Sequence, residues 1–336
     1  MPAPVLLDAT PLASAHAVRG IGASVAGMLR GFGALPADAR PDLLALPDQR
    51  VPRGFTALRM PWPRWRLHRL PDPWPALAGE RIARRRAGGR VFHATQPALM
   101  PDGPGVATCH DLIPACFPRE YLRGPGRAAE RVAYRRYLRR LRAAALVLTP
   151  SRDTAEDVVR VAAVDRGRVR VVPWAAPEAA APEGDPPPGR YVLYAGALEP
   201  HKNARVVVEA IAAAAPGVRL VMAGPWSARR AERLRRHAAR AGAGGRIDWV
   251  GLLPAGRLAA VRAGALAVLV PSRKEGFGFP VLEGMACGVP VLAADIPALR
   301  EVGGDAARYV PPDRPADWAR AIDELAGDRT LRDDLA

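Results

Sequence analysis

The sequence predicts an α/β fold with two domains, each a parallel β-sheet covered by helices. Two observations support this prediction. Short apolar runs rich in valine and leucine alternate with amphipathic helical patterns along most of the 336 residues. A proline-rich segment, PWAAPEAAAPEGDPPPGR, interrupts the alternation at residues 173–190, and the alternation restarts after it. We therefore predict an N-terminal domain at residues 1–178, a linker at residues 179–190 and a C-terminal domain at residues 191–336.

The N-terminal half begins with a predicted strand at residues 5–8 and a helix at residues 23–32. Gly20 and Gly22 stand before this helix, where glycines allow a ligand to approach the backbone closely. An ordinary flexible helix entry explains the pair equally well. Residues 36–89 are predicted to be irregular because prolines recur in them. The later elements are strands at residues 89–95, 106–112, 145–149 and 169–172, and helices at residues 127–142 and from Ser151.

The C-terminal half continues the alternation of strand and helix. Its strands are predicted at residues 191–195, 219–223, 247–250, 265–270 and 290–294. Between the last two strands, a loop contains Gly276 and Gly278, and Pro280 suits the first turn of a short helix. In an open parallel sheet, ligands bind where a loop at the carboxyl end of a strand leads into a helix. Free N–H groups at such a helix start favour an anion.

Two carboxylates flank this glycine loop, Glu275 before the helix and Glu283 in its predicted first turn. A carboxylate accepts hydrogen bonds from paired hydroxyl groups, such as those of a ribose or a hexose. The alternative is that both are solvated acids beside a helix start. The position of the glycines and prolines relative to both carboxylates favours a binding site.

The segment EGFGFPVLEGMACGVPV at residues 275–291 resembles the signature of glycosyltransferase family 4. These are retaining sugar transferases of the GT-B fold, in which two Rossmann-like parallel-sheet domains face a cleft. The resemblance implies that Glu283 holds the donor ribose, that Glu275 lies beside the donor sugar, and that the loop amides contact sugar and diphosphate. The donor-binding residues that it implies are Gly20, Gly22, Leu252, Arg273, Lys274, Gly276, Phe277, Gly278, Phe279 and Glu283.

Two further motifs extend the resemblance. His110 opens a segment, HDLIP, that is similar to the HDL-x-P segment of bacterial family members, where the histidine lies beside the transferred sugar. A strand-end histidine bonded to the local backbone is the alternative. Lys202 ends the segment GALEPHK, in which family members place a lysine against the donor phosphates. The alternative is a surface lysine beside a loop. The catalytic residues implied by the resemblance are His110, Lys202 and Glu275.

One departure from the family pattern concerns the charge available at the diphosphate. Ala197 stands where an arginine often follows the glycine of this segment, which leaves more of the charge to Lys202, Arg273 and Lys274. The N-terminal domain is the acceptor side in the family.

The reaction implied is transfer of a hexose from a nucleotide sugar, with retention by front-face attack. The sequence contains no Asp-x-Asp, so we expect neither a metal ion nor another cofactor. GDP-mannose is the favoured donor and a UDP-sugar is the second candidate; the acceptor is a glycan or a lipid-linked sugar. A different nucleotide-sugar enzyme of the same fold, an epimerase or a phosphorylase, remains an alternative. An arginine-rich nucleic-acid binder is another, but no nucleic-acid-binding module is visible, so we expect no nucleic-acid partner.

Charge is concentrated in the first half, where residues 1–180 contain 28 arginines and 15 acidic residues. Trp62, Trp65 and Trp74 lie among arginines in a proline-rich tract, which suits an anionic membrane surface. The alternatives are a GC-rich codon bias and a loop packed on its own domain. No signal peptide or apolar run of the ~20 residues needed for a span is visible, and three cysteines indicate a reducing compartment. We expect a cytoplasmic protein, with possible peripheral binding at the inner leaflet of the membrane.

Overall fold

The computed structural model describes residues 5–13, 20–60, 85–96, 105–124 and 126–336. The chain divides into two compact units, Met1–Ala175 and Ala176–Ala336. This division falls in the proline-rich segment, slightly before the predicted linker at residues 179–190. Residues 172–189 form neither helix nor strand, as expected where prolines remove backbone donors.

The N-terminal unit is built on seven parallel strands. They are β1 (Val5–Asp8), β2 (Asp42–Ala45), β3 (Ala57–Arg59), β4 (Val91–Ala94), β5 (Val106–Thr108), β6 (Leu146–Thr149) and β7 (Val169–Val171). The sheet order is β3–β2–β1–β4–β5–β6–β7, so the order reverses between β1 and β4. The described helices of this unit are α1 (Gly20–Gly33), α2 (Ile113–Cys116), α3 (Pro118–Tyr121), α4 (Ala128–Ala143) and α5 (Arg152–Ala162).

The C-terminal unit repeats the same arrangement with six parallel strands. They are β8 (Arg190–Ala195), β9 (Val218–Ala223), β10 (Ile247–Gly251), β11 (Val268–Val270), β12 (Val291–Ala294) and β13 (Ala307–Val310). The order is β10–β9–β8–β11–β12–β13, with the reversal between β8 and β11. The helices are α6 (Ala204–Ala213), α7 (Ala228–Arg240), α8 (Ala255–Ala263), α9 (Phe279–Met285), α10 (Pro297–Gly303), α11 (Pro315–Gly327) and α12 (Arg329–Asp334).

Both units therefore have the Rossmann strand order, in which ligands bind beyond the carboxyl ends of the strands at the point of reversal. The core of each unit lies between its sheet and its helices, because parallel strands are covered on both faces. In β11 and β12, all seven residues are buried. Of the described helices, none combines the length and apolar character that a bilayer span requires.

The prediction that residues 36–89 are irregular is wrong, because β2 and β3 lie within them. Both strands are short and stand among prolines, so no alternation is long enough to reveal them. Leu43 and Leu44 of β2 are nevertheless fully buried, and β2 pairs with β1. Strand β13 also went unpredicted, and it forms the edge of the second sheet beside β12.

Two predictions in the first half need smaller corrections. Helix α1 begins at Gly20 instead of residue 23, so Gly20 and Gly22 lie in its first turn. Strand β5 ends at Thr108, because the chain leaves the sheet before the short helix α2. Within the arginine-rich helix α4, Arg140 is 3% exposed. It lies three residues after Tyr137 and therefore on the face of α4 that packs inward.

Candidate functional site

The candidate site in the C-terminal unit lies in the two loops that follow the neighbouring strands β8 and β11. These strands flank the reversal of the sheet order, where an open α/β sheet leaves a crevice for a ligand. The loop after β8 carries Lys202, and the loop after β11 carries Glu275. The fold thus brings together two residues that are 73 positions apart in the sequence.

Lys202 and Glu275 form a bidentate ion pair. The Lys202 Nζ atom donates to both carboxylate oxygens of Glu275, at 2.6 Å and 2.8 Å. The Ser272 hydroxyl also donates to Oε1, at 2.6 Å. Glu275 is 6% exposed, and its burial alone would raise its pKa, but Lys202 and these hydrogen bonds hold the pKa below its ordinary value. Glu275 is therefore ionised at neutral pH and holds Lys202 in place.

His201 adds no positive charge to this site at neutral pH. Burial, with the nearby charge of Lys202, lowers the pKa of the imidazole to about 4. The backbone carbonyl of His201 accepts a hydrogen bond from the Arg273 N–H at 2.8 Å, which ties the two loops together. Lys202 is thus the charged member of its own loop that contacts Glu275.

The glycine loop has a conformation that requires glycine at one position. Gly278 has φ of +122°, and a Cβ there would lie 2.7 Å from Cδ2 of Leu299. The rings of Phe277 and Phe279, on either side, are buried and meet nearly edge to face with centroids 5.4 Å apart. Helix α9 begins directly after this turn, with Pro280 in its first turn. The loop backbone is therefore held rigidly at the end of β11.

Glu283 lies in the second turn of α9, one turn later than the sequence suggests, because the helix begins at Phe279. Its Oε2 accepts a hydrogen bond from Nη2 of Arg262 at 2.5 Å, and its side chain is 29% exposed. Burial raises the pKa of Glu283, and the charges of Arg262 and Lys202 oppose this rise. Glu283 therefore has one oxygen held by protein and a partly open carboxylate.

The other residues implied for donor binding differ in their surroundings. Arg273 donates from Nε to Asp313 at 2.6 Å, so its guanidinium is engaged in an ion pair on the surface. Lys274 and Gly276 stand in the same loop, half-buried and buried. Leu252, in the loop after β10, is 64% exposed, which is unusual for a leucine. The fold thus places an apolar side chain at the carboxyl end of a third strand.

Two residues at this site were missed by the sequence analysis, Ser272 and Arg262, which contact the two carboxylates. Arg262 gave no signal in the sequence, because arginine is abundant along the chain. In the loop after β9, the Trp226 indole donates to the Gly196 carbonyl at 2.8 Å.

The N-terminal unit has its own polar cluster at the reversal of its sheet. Asp8 ends β1 and accepts hydrogen bonds from the backbone N–H and the hydroxyl of Thr10, at 3.0 Å and 2.6 Å. The Thr95 hydroxyl donates to the Asp8 carbonyl at 2.7 Å. His110, beyond the end of β5, contacts the Thr95 carbonyl through Nε2 at 2.7 Å and lies against the ring of Trp174. Since a carbonyl only accepts, Nε2 of His110 carries a proton.

His110 is 7% exposed. Its hydrogen bond to the Thr95 carbonyl is of the kind expected from the alternative, a strand-end histidine bonded to the backbone, although Thr95 lies 15 residues away in the sequence. In the neutral ring, Nδ1 is then the acceptor nitrogen. Gly20 is exposed and Gly22 is buried at the start of α1. First-turn N–H groups have no acceptor within their own helix, which is why a helix start can bind an anion.

Replacing Asp8 with asparagine should stabilise the N-terminal unit above pH 6. Burial raises the pKa of Asp8 to about 6 from an ordinary 3.8, against the hydrogen bonds from Thr10 and Thr95. Because the unfolded carboxyl ionises first, stability falls as the pH rises between these values and stays low above them. The gain in the variant should be on the order of 1–3 kcal/mol, at about 1.4 kcal/mol per pKa unit.

Thermal unfolding of the wild type and the Asp8→Asn variant, at about pH 4 and about pH 7.5, measures this difference. The gain should be small at the lower pH and large at the higher pH. A gain of the same size at both values would contradict the assignment of the effect to Asp8 ionisation.

Within the described ranges, no three histidine, cysteine, aspartate or glutamate side chains form a group that could hold a metal ion. Cys109, Cys116 and Cys287 do not form disulfide bonds. Burial raises the pKa of the Cys109 thiol to about 12, so it is not a nucleophile at neutral pH.

Two family models match the chain in succession. Residues 18–176 match the model described as Glycosyltransferase Family 4, and residues 177–336 match the model described as Glycosyl transferases group 1. The boundary between the two matches coincides closely with the division between the two compact units.

Curated relatives match over part of their length. D-inositol 3-phosphate glycosyltransferase of Acidothermus cellulolyticus is 32% identical over 215 residues, which is 57% of this chain and 48% of that protein. O-antigen chain mannosyltransferase B of Escherichia coli is 35% identical over 126 residues, 36% of this chain and 33% of that protein. The matched regions thus span about half or less of these relatives.

Solved structures match over almost the whole chain. Sucrose-phosphate synthase from Thermosynechococcus elongatus has a TM-score of 0.72 at 19% identity, covering 99% of this chain and 92% of that one. WaaG, a glycosyltransferase involved in lipopolysaccharide biosynthesis, has a TM-score of 0.71 at 14% identity, and the match covers 98% of this chain and 92% of WaaG. HepE from Anabaena in complex with UDP-glucose has a TM-score of 0.70 at 16% identity, and the match covers 99% of this chain and 92% of HepE. With its two Rossmann-like units, the chain has the GT-B fold, as the sequence predicts.

Proposed function

The chain belongs to the group 1 glycosyltransferases, and we propose that it transfers a hexose from a nucleoside-diphosphate sugar to a glycan or a lipid-linked acceptor. The observation that carries this proposal is the Lys202–Glu275 pair at the sheet reversal, beside the glycine loop. A fixed cation in a partly buried position, beside a glycine loop that leads into a helix, suits the diphosphate of such a donor.

In the proposed complex, the C-terminal unit holds the donor. Lys202 and the amides of Gly276 and Gly278 contact the diphosphate and the sugar. Glu283 accepts hydrogen bonds from the ribose hydroxyls, and Leu252 packs against the base. Arg273, Lys274, Phe277 and Phe279 complete the donor site of this unit. Gly20 and Gly22 of the N-terminal unit are proposed separately as residues that contact the donor. Glu275 lies beside the donor sugar and positions Lys202.

The reaction that we propose breaks the bond between the anomeric carbon of the sugar and the diphosphate oxygen. A new bond forms from the acceptor oxygen to the same face of that carbon, which gives retention. The acceptor proton goes to the departing diphosphate. Negative charge grows on the diphosphate as the bond breaks, so Lys202 stabilises the transition state more than the bound donor. Both oxygens of Glu275 accept hydrogen bonds from Lys202, so Glu275 is not the nucleophile in this scheme.

For the N-terminal unit, we propose a role in acceptor binding and a contact between His110 and the transferred sugar. The hydrogen bond from Nε2 to Thr95 fixes the imidazole ring, and the Trp174 ring packs against it with a centroid distance of 5.0 Å. The imidazole ring is thus held in one orientation, which suits a defined contact with a sugar.

GDP-mannose is the donor that we favour, because O-antigen mannosyltransferases are among the relatives. A UDP-sugar is the second candidate, because HepE was solved with UDP-glucose. A thermal-shift panel of GDP, UDP, ADP and their sugars tests both. We expect GDP and GDP-mannose to raise the unfolding midpoint most, since a ligand that binds the folded state stabilises it. A chain that none of these nucleotides stabilises would not fit the proposal.

We further propose that catalysis needs no metal ion and no cofactor besides the donor. Support comes from Lys202, which supplies a fixed positive charge, and from the absence of an Asp-x-Asp motif in the sequence. Turnover should therefore be unchanged in millimolar EDTA, with a metal-dependent transferase in the same buffer as the positive control. Loss of activity with EDTA and recovery with Mn²⁺ or Mg²⁺ would contradict this.

We propose that the protein acts in the cytoplasm and binds the inner leaflet of the membrane peripherally through the N-terminal unit. The exposed arginines of the arginine-rich helix α4 are Arg131, Arg135, Arg139 and Arg142. The first three lie four residues apart and therefore on one face, and Val132 is 49% exposed beside them. Each such arginine near an anionic surface contributes about 1 kcal/mol. The tryptophans of the predicted membrane tract, at 62, 65 and 74, lie outside the described residues.

Liposome co-sedimentation measures this binding. The wild type should pellet with anionic vesicles at low salt, stay in the supernatant with neutral vesicles, and dissociate as salt rises. Replacing Arg131, Arg135 and Arg139 with glutamine should release it. As a control with the same charge change, Arg229, Arg233 and Arg236 of α7 are replaced by glutamine, which should have little effect. Equal loss in both triple variants would indicate non-specific attraction by total charge.

A further inference from the structure

Arg262 is a buried arginine on α8 whose guanidinium points at Glu283. Its side chain is 10% exposed, and Nη2 donates to Oε2 of Glu283 at 2.5 Å. Its Nε is buried and makes no hydrogen bond within the described residues. Burying a charged group with incomplete hydrogen bonding is costly, so an arginine at this position calls for an explanation beyond packing.

Arg246 shows how the same unit uses an arginine for structure. Its guanidinium donates to the backbone carbonyls of Ala214, Ala215 and Val218, which leaves it well satisfied. Arg262 instead directs its hydrogen bond to a single carboxylate, in the residue that the proposed function assigns to the ribose. The contrast indicates that Arg262 acts on Glu283 and does not serve the fold alone.

We propose that Arg262 is a positioning residue for ribose recognition: it holds the Glu283 carboxylate ionised and fixes its orientation, so that the carboxylate can accept hydrogen bonds from both hydroxyls of the donor ribose. This inference rests on the proposed function and deepens it. An ionised carboxylate accepts at both oxygens, whereas a protonated carboxyl carries an O–H donor and cannot accept from two hydroxyls in the same way.

The charges around Glu283 make this role necessary. Burial raises the pKa of Glu283, and the charged groups that oppose it are Arg262 and Lys202. Lys202 is committed to both oxygens of Glu275 and, in the proposed function, to the diphosphate. Without Arg262, the pKa of Glu283 should therefore rise further, so that a larger fraction of the carboxyl is protonated at any given pH.

The test compares binding of a ribonucleotide with that of its 2′-deoxy analogue, by calorimetry, between about pH 6 and about pH 8. The probes are GDP with 2′-deoxy-GDP and UDP with 2′-deoxy-UDP. The ratio of the two affinities does not depend on the titration of the phosphate, because both nucleotides share it. The wild type should prefer the ribonucleotide at least about tenfold across this range, because a hydrogen bond to a charged group is lost in the analogue.

Arg262→Met keeps the aliphatic packing and removes the charge. In this variant, the ratio of the affinity for the ribonucleotide to the affinity for its 2′-deoxy analogue should be lower than in the wild type. The ratio should fall towards one as the pH is lowered. In a Glu283→Gln background the same substitution should change the preference no further, because the carboxylate on which Arg262 acts is absent. Arg257→Met on the same helix is the matched control, since Arg257 donates to the backbone carbonyls of Glu183 and Asp185.

The two possible failures are distinguishable. If the wild type binds neither nucleotide, the proposed function is overturned and the inference falls with it. If the wild type binds and discriminates, but Arg262→Met keeps the wild-type preference and the wild-type pH profile, only the role of Arg262 is overturned. A general loss of affinity in Arg262→Met, equal for ribo- and deoxyribonucleotide, would also overturn it, because a purely structural defect acts on both.

Discussion

Replacing Lys202 with alanine should lower kcat by a factor on the order of 10²–10³ and leave the KM for the donor little changed. Lys202 is the cation held by Glu275 at the sheet reversal, where the donor diphosphate is proposed to bind. The charge on the diphosphate grows as the sugar leaves, so a fixed cation is worth most in the transition state. Steady-state kinetics with the preferred donor separate the two parameters.

This substitution also leaves Glu275 buried without its ion-pair partner, so folding must be checked by thermal unfolding. Ser272→Ala is the matched control. It removes a hydrogen bond to the same carboxylate but keeps the charge of Lys202, and it should cost far less activity. If Lys202→Ala changes only KM, then Lys202 binds the donor in the ground state and does not stabilise the additional negative charge of the transition state.

Replacing Glu283 with alanine should weaken binding of the donor nucleotide at least about tenfold, because two ribose hydroxyls lose a charged acceptor worth ~1.5–3 kcal/mol. The affinity of GDP and UDP for the variant and the wild type, measured by calorimetry, gives this directly. The variant leaves Arg262 buried without a partner, so some loss of stability is also expected.

An exposed glutamate provides the control for Glu283. Glu232 on α7 lies in the same unit and forms a weak surface pair with Arg236 at 3.7 Å. Glu232→Ala should leave nucleotide affinity unchanged. If Glu283→Ala binds the nucleotide as tightly as the wild type, with its fold intact, the ribose must be held elsewhere.

The two-domain α/β fold could be predicted because its signals are local. The glycine loop, Pro280 and the two flanking apolar runs predict β11, α9 and β12, although β11 begins at Val268, three residues after the predicted start. Strands β2 and β3 could not be predicted, because each is short and is stabilised by its pairing in the sheet, β2 with β1 and β3 with β2. Their residues carry no period that distinguishes them from the proline-rich chain around them.

The residues of the candidate site divide in the same way. Lys202 and Glu283 lie in motifs that resemble a known family, so the sequence could propose roles for them from that resemblance. The Lys202–Glu275 pair could not, because it joins two loops through the strand order of the sheet. Arg262 is the clearest example: its neighbours in the sequence carry no motif, and its hydrogen bond to Glu283 joins two helices that β11 separates in the chain.

The most direct test of glycosyl transfer is turnover of nucleotide sugars by the purified chain. The nucleoside diphosphate released from GDP- and UDP-hexoses is measured with an acceptor extract or, more slowly, with water. We expect release from at least one of these donors, retention of the anomeric configuration in the product, and loss of this release in Lys202→Ala by a factor on the order of 10²–10³. No release from any donor, or equal release by the wild type and Lys202→Ala, would contradict the proposed function.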